Sequence, residues 1–407
     1  MSNFNFDEEI SRRGTGSVKW EYMWQGSDLV HGDWADLKHG AENRTLPLWV
    51  ADMDFRCPQV VLDAIVERAN HGIFGYTMES DSYYQALIDW AQTYYEWEVK
   101  KEWIKLMPGV VPALNMIVQT YTEPGDNVIV QGPVYYHFMN AADNHGRTPI
   151  HNNLKYDVET QRYTMDFADL EAKAADPRTT LAILCSPHNP VGRVWTADEL
   201  KRLGEICLKN NVLVIADEIH ADLIFDGHTF VPYAALSPEF EQNCVVCTAP
   251  SKTFNLAGLK TSNIIIPNDQ LREKFQASMK RSGMFGGNTF GLVAAEAAYS
   301  QGRPWLNAAM RYIQDNYTFM CDYIEQHIPQ MKVVPCEGTY LVWVDCRGMG
   351  LTAAERKKLI LEDAKVYLDD GPMFGPEGDV FERFNLACPR HILAQSLERI
   401  KKQLTGD

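Results

Sequence analysis

Residues 180–217 read TLAILCSPHNPVGRVWTADELKRLGEICLKNNVLVIAD, and this stretch decides the fold class. Two short apolar runs, residues 180–185 and 212–216, enclose a segment with helical periodicity. Thr196 and Glu199 have the spacing of a capping box at the start of that segment. Four apolar side chains then fall on one helical face: Leu200, Leu203, Ile206 and Cys207. The pattern predicts strand, helix, strand and an α/β fold.

Three further runs resemble the first two: residues 127–131 (NVIVQ), 244–248 (CVVCT) and 263–266 (NIII). They are rich in Val and Ile and do not alternate apolar with polar residues, which is typical of strands buried on both faces. The link between the last two runs is short and has no clear helix, so we expect an antiparallel strand there. The prediction is a mainly parallel sheet with helices on both faces.

The chain has 407 residues and 45% hydrophobic content, more than one compact core accommodates. In the last hundred residues, two amphipathic helices flank the strand-like segment TYLVWVD, which predicts a smaller α+β domain. We expect these divisions: an N-terminal arm joining the small domain (residues 1–50), a large domain (51–295) and a small C-terminal domain (296–407), with the two helices at 305–327 and 391–404.

Composition excludes several classes of partner. The net charge of −16 would repel phosphate backbones, so nucleic acid is not expected. No apolar run has the length of a membrane span, and no hydrophobic stretch follows Arg12-Arg13 as a signal peptide requires. The nine cysteines sit mostly in apolar runs, which favours free thiols in a reducing cytoplasm. The spacing of Cys244 and Cys247 in a strand puts them on opposite faces, against a metal or redox site.

Three polar residues stand at the ends of three predicted strands. Asn189 follows LAILC, Asp217 follows VLVIA and Lys252 follows CVVCT. In open α/β sheets, ligands bind outside the carboxyl ends of the strands, so these side chains should converge on one crevice.

Each of the three also has an ordinary interpretation. Asn189-Pro190 suits a turn, Asp217 could cap a helix, and Lys252 could be a solvated cation. Together they match one cofactor. Pyridoxal 5′-phosphate (PLP) needs an amine for its Schiff base, a carboxylate at the pyridine nitrogen and a donor at the ring hydroxyl. Lys252, Asp217 and Asn189 fill these roles in that order.

The segment MPGVVPAL (residues 107–114) is the candidate phosphate site. The backbone N–H groups of Val110 and Val111 would point out of a helix N-terminus, which favours an anion. Ser251 and Lys260 flank the lysine loop and could add a hydroxyl and a cation. An ordinary strand–turn–helix explains the segment equally well when it is taken alone.

Arg390 opens the last predicted helix, where a cation opposes the helix dipole. An anionic ligand would remove this conflict, because arginine binds a carboxylate with two parallel hydrogen bonds. The alternative is an exposed arginine screened by solvent.

These residues lie in motifs that resemble a known family. The chain resembles the fold-type I PLP enzymes, and within them the carbon–sulfur β-lyases of the MalY/PatB type, which include cystathionine β-lyases. The resemblance covers nearly the whole chain, and WVADMDF, DEIHADL and APSKTFNLAGL are its most specific motifs. The others are RRGTGSVKW, FGYT, MPGVVPAL, GPVYYHF, SPHNPVGRVW and FNLACPR.

The resemblance implies a role for each matching position. Lys252, Asp217 and Asn189 take the roles given above, and Tyr135 stacks on the cofactor ring, with Tyr136 as the alternative. Tyr76 reaches the phosphate of a partner subunit, which implies a homodimer with shared sites.

Two positions depart from related aminotransferases. His220 stands where they carry a tyrosine near the ring hydroxyl, and Ala249 where many carry Ser or Thr for the phosphate. Arg390 resembles the arginine that binds the substrate α-carboxylate. Core packing or a surface position remains the alternative for Tyr76, Tyr135 and His220.

The implied reaction is β-elimination from an amino acid with a sulfur leaving group, such as cystathionine or a cysteine S-conjugate, giving a thiol, pyruvate and ammonia. Lys252 would remove the Cα proton as a general base. An aminotransferase with the same cofactor is the alternative, because fold alone does not decide function. A regulatory, protein-binding role on the same fold is a second alternative.

Overall fold

A computed structural model of the chain describes residues 4–26, 28–32 and 44–406. Its helices are α1 (Val18–Glu21), α2 (Gln59–His71), α3 (Asp81–Tyr95), α4 (Val110–Tyr121), α5 (His137–Asp143), α6 (Phe167–Ala174), α7 (Ala197–Lys209), α8 (Pro238–Gln242), α9 (Pro250–Thr253), α10 (Asp269–Arg281), α11 (Thr289–Gln301), α12 (Arg303–His327), α13 (Ala353–Lys357) and α14 (Arg390–Thr405).

Its strands are β1 (Tyr22–Gln25), β2 (Asp28–His31), β3 (Leu46–Pro47), β4 (Ile104–Met107), β5 (Asn127–Val130), β6 (Thr148–His151), β7 (Lys155–Asp157), β8 (Arg162–Thr164), β9 (Thr179–Cys185), β10 (Leu213–Asp217), β11 (Cys244–Thr248), β12 (Ser262–Ile265), β13 (Lys332–Val333), β14 (Leu341–Asp345), β15 (Val366–Tyr367), β16 (Asp369–Asp370) and β17 (Phe381–Asn385).

The centre of the molecule is a seven-stranded sheet with the order β4-β12-β11-β10-β9-β5-β6. Strands β11, β10, β9, β5 and β6 are parallel neighbours, and β12 is antiparallel to both β11 and β4. The predicted α/β class, the five apolar strands and the antiparallel strand after CVVCT are confirmed. Because the strands are parallel, the carboxyl ends of β9, β10 and β11 lie side by side at one edge of the sheet.

Helices cover both faces of this sheet, as predicted. One face carries Cys247 and packs under α4, α5 and α10. The other carries Cys244 and packs under α3, α7 and α11. The two cysteines therefore lie on opposite faces, because side chains three positions apart in a strand point in opposite directions.

Helix α7 shows how local sequence builds this layer. The Thr196 hydroxyl accepts a hydrogen bond from the backbone N–H of Glu199, and the Glu199 carboxylate accepts from that of Thr196, which completes the capping box. Leu200 and Leu203 on the apolar face are buried against the sheet.

A second, four-stranded sheet has the order β13-β14-β17-β16 and is antiparallel throughout. The predicted helices at 305–327 and 391–404 correspond to α12 and α14, which pack against each other. Asn316 in α12 donates hydrogen bonds to the carbonyls of Leu386 and Cys388, which join β17 to α14. The predicted domain limits at residues 50/51 and 295/296 stay predictions.

The N-terminal segment forms two small strand pairings and contacts the four-stranded sheet, where the Asn385 backbone N–H donates to the Leu48 carbonyl. Strands β1 and β2 form an antiparallel hairpin, and β3 pairs with β15 in parallel. Residues 1–3, 27 and 33–43 of the predicted arm, and residue 407 of the predicted small domain, lie outside the described residues. Within the described part of the chain, no helix is both long and apolar enough to span a bilayer.

Candidate active site

A cavity of about 580 Å³ opens at the carboxyl ends of β9, β10 and β11. Its volume lies in the range of small-molecule sites. The structure brings nine of the predicted site residues into its lining: Val110, Val111, Tyr135, Asn189, Asp217, His220, Ser251, Lys252 and Lys260. Tyr76 and Arg390 are not among the lining residues.

Lys252 lies on the short helix α9, immediately after β11. Its Nζ donates a hydrogen bond of 2.6 Å to the carbonyl oxygen of Ala51, in the WVADMDF motif. Burial lowers the pKa of Lys252 to about 8, against the opposing attraction of Asp52 and Asp217. A substantial fraction of this amine is therefore neutral near pH 8, as a nucleophile or general base requires.

Asp217 is the last residue of β10 and is buried. One carboxylate oxygen accepts a hydrogen bond of 3.2 Å from the backbone N–H of Ile219. Burial raises the pKa of Asp217 to about 7, and the charge of Lys252 only partly offsets this effect. A buried carboxylate in this state gains from a cationic ligand such as a protonated ring nitrogen.

Asn189 and His220 complete the polar part of the cavity. The Asn189 side-chain oxygen accepts a hydrogen bond of 3.0 Å from Arg383 Nη1. His220 Nδ1 is buried without a hydrogen-bond partner in the described structure. Burial holds the pKa of His220 well below its usual value, and the charges of Lys252 and Arg383 act in the same direction. An unpaired buried nitrogen facing a cavity favours a ligand there.

The first turn of α4 forms the candidate phosphate cradle. Gly109 precedes the helix with φ of 139°, and as a glycine at the N-cap it supplies no side chain to cap the first N–H groups. Val110 and Val111 at this N-terminus line the cavity, together with Ser251, Lys260 and Thr261. Free N–H groups at a helix N-terminus attract an anion, so the residues present fit the phosphate of the predicted cofactor.

Tyr135 and Tyr136 both line the cavity, and their ring centroids lie 5.1 Å apart. Burial raises the pKa of Tyr135, and the nearby Tyr136 and Asp217 add to this effect, so Tyr135 lies close to the carboxylate that is predicted to face the ring nitrogen. Tyr136 also lines an adjoining groove with Trp24 and Met373. This geometry favours Tyr135 as the stacking residue.

Sequence reasoning missed Arg383, which lies on β17 and reaches into the cavity. Its guanidinium donates to Asn189 and, at 3.0 Å, to the Trp49 carbonyl, and it forms an ion pair with Asp369. Its Nε is buried without a partner in the described structure. Burial raises the pKa of Asp369 to about 6, and Arg383 opposes this shift.

The structure requires a correction for Arg390. Its Nε donates to the Asn316 side-chain oxygen in α12, and its guanidinium lies 4.9 Å from the Phe319 ring centroid. The side chain at the start of α14 therefore faces α12 and not the cavity. The conflict with the helix dipole is met by an amide oxygen of the same chain. We reassign the arginine of the candidate site from Arg390 to Arg383.

Tyr76 lies in the loop between α2 and α3 and is fully exposed. It is outside the cavity of its own chain, which is the arrangement expected of a residue that serves a partner. The structure of one chain does not test that role.

The N-terminal segment also contributes residues that the sequence did not suggest. Val18, Trp24 and Leu29 line the cavity. The signal for Arg383 was present in FERFN, where two charged residues, Glu382 and Arg383, interrupt a strand that is otherwise suited to the core. No comparable signal distinguishes Val18, Trp24 or Leu29 from ordinary packing residues.

A mainly parallel sheet with a lysine, a carboxylate and an amide at neighbouring strand ends defines an α/β enzyme of the aminotransferase-like fold type I. The chain belongs to the aminotransferase class I and II family, whose model matches residues 44–400. The resemblance predicted from the sequence is therefore confirmed.

Relatives narrow this assignment. The chain is 43% identical over 401 residues to cystathionine beta-lyase PatB of Bacillus subtilis, covering 98% of this chain and 100% of the relative. It is 30% identical to protein MalY of Escherichia coli, covering 97% of each chain.

Two solved structures of PLP-containing proteins have the same fold as this chain. Cystalysin from Treponema denticola, which contains a pyridoxal 5′-phosphate cofactor, superposes with a TM-score of 0.91 at 35% identity and 99% coverage of both chains. The PLP-bound C-S lyase from Staphylococcus hominis has a TM-score of 0.88 at 32% identity, covering 99% of this chain and 98% of that one.

Proposed function

We propose that this protein is a PLP-dependent carbon–sulfur β-lyase, which releases a thiol, pyruvate and ammonia from an S-substituted L-cysteine or cystathionine. The observation that carries the proposal is the position of Lys252, whose amine lies inside a cavity with Asp217, Asn189 and Arg383. The relatives named as lyases support elimination as the reaction.

The residues present fit the cofactor. Lys252 would hold it covalently, Asp217 would face its ring nitrogen, and the first turn of α4 would hold its phosphate. His220 and Asn189 would face the ring oxygen. PLP supplies an electron sink for a negative charge that develops at the substrate Cα.

The chain's own groups supply binding and proton transfer. When the Lys252 amine is not bound to the cofactor, its Nζ would remove the Cα proton, and because burial lowers its pKa to about 8, a substantial fraction of the free amine is neutral near pH 8. The Ala51 carbonyl, 2.6 Å from Nζ, restrains the amine inside the cavity.

Arg383 binds the substrate α-carboxylate. Its unpartnered Nε and its planar guanidinium suit an interaction with two carboxylate oxygens. The ion pair with Asp369 and the hydrogen bond to Trp49 hold the guanidinium in one orientation. A fixed arginine orients the Cα–H bond toward the lysine and so lowers the entropic part of the barrier.

The aminotransferase alternative has less support. Aspartate aminotransferase of Geobacillus stearothermophilus is 27% identical, well below the relative named as a lyase. The two reactions differ in their products. A lyase releases a thiol without any keto-acid acceptor, whereas an aminotransferase stalls after one half-reaction until a keto acid is added.

The test is a product assay on holoenzyme with L-cystathionine and S-alkyl-L-cysteines. We expect equal amounts of thiol and pyruvate over many turnovers without an acceptor, and no product from Lys252→Ala. Turnover that depends on an acceptor, with no thiol from any sulfur amino acid, would refute the lyase proposal.

We also propose a homodimer in which Tyr76 serves the neighbouring site. Large exposed apolar side chains support the dimer. Five of them lie on α2 or in the 73–78 loop: Val66, Ile73, Phe74, Tyr76 and Met78. A sixth, Phe285, precedes Gly286, whose backbone lies close to Thr77. The Phe74 ring packs 5.4 Å from that of Phe290, and the Thr77 hydroxyl bonds that of Thr289 at 2.8 Å, so the loop is held on α11. A second copy of the chain would bury this surface.

A cytoplasmic location is part of the same proposal. Seven of the nine cysteines are buried and all nine are free thiols, which suits a reducing compartment.

A further inference from the structure

One wall of the cavity is apolar and is built by the N-terminal segment. Val18 from α1, Trp24 from β1 and Leu29 from β2 all face the cavity. Tyr136 and Met373 join them from elsewhere in the chain. None of these residues is among the cofactor-facing groups described above, so this wall is available to the part of the substrate beyond its Cα.

This wall is anchored. Lys19 is fully buried, and its Nζ donates to the Asp54 carboxylate at 2.7 Å. Trp20 Nε1 donates to the other oxygen of Asp54 at 2.8 Å. In the hairpin itself, the Trp24 backbone N–H donates to the Tyr367 hydroxyl at 3.1 Å. The wall is therefore tied to both the WVADMDF segment and β15, and it is formed before substrate binds.

Each charged side chain that lines the cavity already has an ion-pair partner or a proposed role toward the cofactor. Its charged lining residues, within residues 4–26, 28–32 and 44–406, are Asp217, Lys252, Lys260, Asp369 and Arg383. Asp217, Lys252 and Lys260 face the cofactor positions, and Asp369 is paired with Arg383. The wall itself carries no charged side chain among the described residues, and the charges of the adjoining groove are paired as well, Arg356 with Glu382 and Lys357 with Asp370.

We propose that this wall is the subsite for the sulfur substituent, and that it selects cysteines carrying an uncharged alkyl or aryl group over cystathionine and cystine. The inference rests on the proposed function and names its substrate class. The leaving groups of cystathionine and cystine carry their own ammonium and carboxylate. Placing these charges against Trp24 and Met373, where the nearby charged groups already have partners, is costly, whereas placing an alkyl chain there is favourable.

The first experiment measures the subsite without elimination. L-Norleucine and L-2-aminoadipate have equal chain length and no sulfur leaving group, and they differ in a terminal methyl or carboxylate. We expect calorimetric titration of the holoenzyme to give at least tenfold tighter binding of norleucine. Equal binding, or tighter binding of 2-aminoadipate, would overturn the proposal whatever reaction the enzyme catalyses.

The second experiment measures kcat/KM for thiol release from S-methyl-, S-ethyl-, S-propyl- and S-benzyl-L-cysteine and from L-cystathionine. Each added methylene should raise kcat/KM about fourfold, as expected for a buried apolar group. Cystathionine should fall at least tenfold below S-propyl-L-cysteine. Thiol release that favours cystathionine would refute the selectivity and leave the lyase proposal standing, whereas no thiol from any substrate would refute the lyase proposal itself.

Substitutions of Trp24 test whether the apolar wall causes the substrate selectivity. Trp24→Ala should reduce the advantage of S-benzyl- over S-methyl-L-cysteine at least fivefold, and Trp24→Phe should restore most of it. Val158→Ala, an exposed apolar residue outside the cavity lining, serves as the matched control and should keep the wild-type ratio. A loss of activity that is equal for all substrates would indicate a purely structural role for Trp24 and would contradict the proposal.

Discussion

Replacing Arg383 with lysine tests the reassigned carboxylate site. The change keeps a positive charge beside Asp369, so the buried carboxylate is not left unpaired, which would cost several kcal/mol. What is lost is the planar fork, and with it Nε, the one guanidinium nitrogen without a partner in the described structure.

The magnitude follows from these contacts. A hydrogen bond to a charged group contributes about 1.5 to 3 kcal/mol, and a lysine ammonium can replace only one of the two bonds to the substrate. We therefore expect Arg383→Lys to raise the barrier that governs kcat/KM by about 2 to 3 kcal/mol, which lowers kcat/KM roughly 30-fold to 160-fold.

The assay is thiol release from S-benzyl-L-cysteine, with cofactor absorbance and thermal unfolding recorded for each variant. Arg390→Lys is the matched control, since Arg390 is bound to Asn316 and stacked near Phe319. It should retain kcat/KM within about threefold of the wild type. The reasoning fails if Arg390→Lys loses activity as strongly as predicted for Arg383→Lys while Arg383→Lys is nearly normal.

Three further predictions concern the cofactor groups and the assembly. Borohydride reduction of the holoenzyme should attach the cofactor to Lys252, and peptide mapping that finds it on Lys260 would show the assignment to be wrong. In the cofactor-free protein, the folded state keeps a proton on Asp217 up to about pH 7, above the unfolded value near 4, so this group's stability contribution falls as pH rises between them. Asp217→Asn should therefore raise the free energy of unfolding in urea by at most about 4 kcal/mol at pH 7.5, and by only about 1 kcal/mol at pH 4.5. Mixed Tyr76→Ala and Lys252→Ala proteins, each inactive alone, should regain activity through hybrid dimers, and no regain after proven subunit exchange would exclude a shared site.

Much of the fold could be predicted because the sequence patterns that specify it are local. Continuous Val- and Ile-rich runs predicted the buried strands, and the Thr196 capping box marked the start of α7 within one residue. The antiparallel β12 followed from a link without a clear helix. Such features depend on neighbours a few residues apart in sequence, so no tertiary information is needed to find them.

Part of the site was predictable for a related reason. Asn189, Asp217 and Lys252 each sit at or just after the end of a strand, and parallel strands bring their carboxyl ends to one edge. Sequence position alone therefore brought these three side chains together, although they lie 28 and 35 residues apart along the chain.

Only the tertiary structure decided between Arg383 and Arg390. Both lie near the FNLACPR motif, and the helix dipole argument favoured Arg390. The choice depends on the direction in which each side chain leaves its element. Arg383 points from β17 into the cavity, whereas Arg390 turns toward Asn316 in α12.

The apolar wall was likewise invisible in the sequence. Val18, Trp24 and Leu29 show no periodicity that separates them from packing residues, and they lie more than 200 residues before Lys252. They reach the cavity because Lys19 is buried against Asp54 and Trp24 is bonded to Tyr367. The sequence by itself determined the sheet and the convergence of Lys252, Asp217 and Asn189 through short-range patterns. The apolar wall comes from distant segments, and its position depends on long-range contacts that only the folded chain contains.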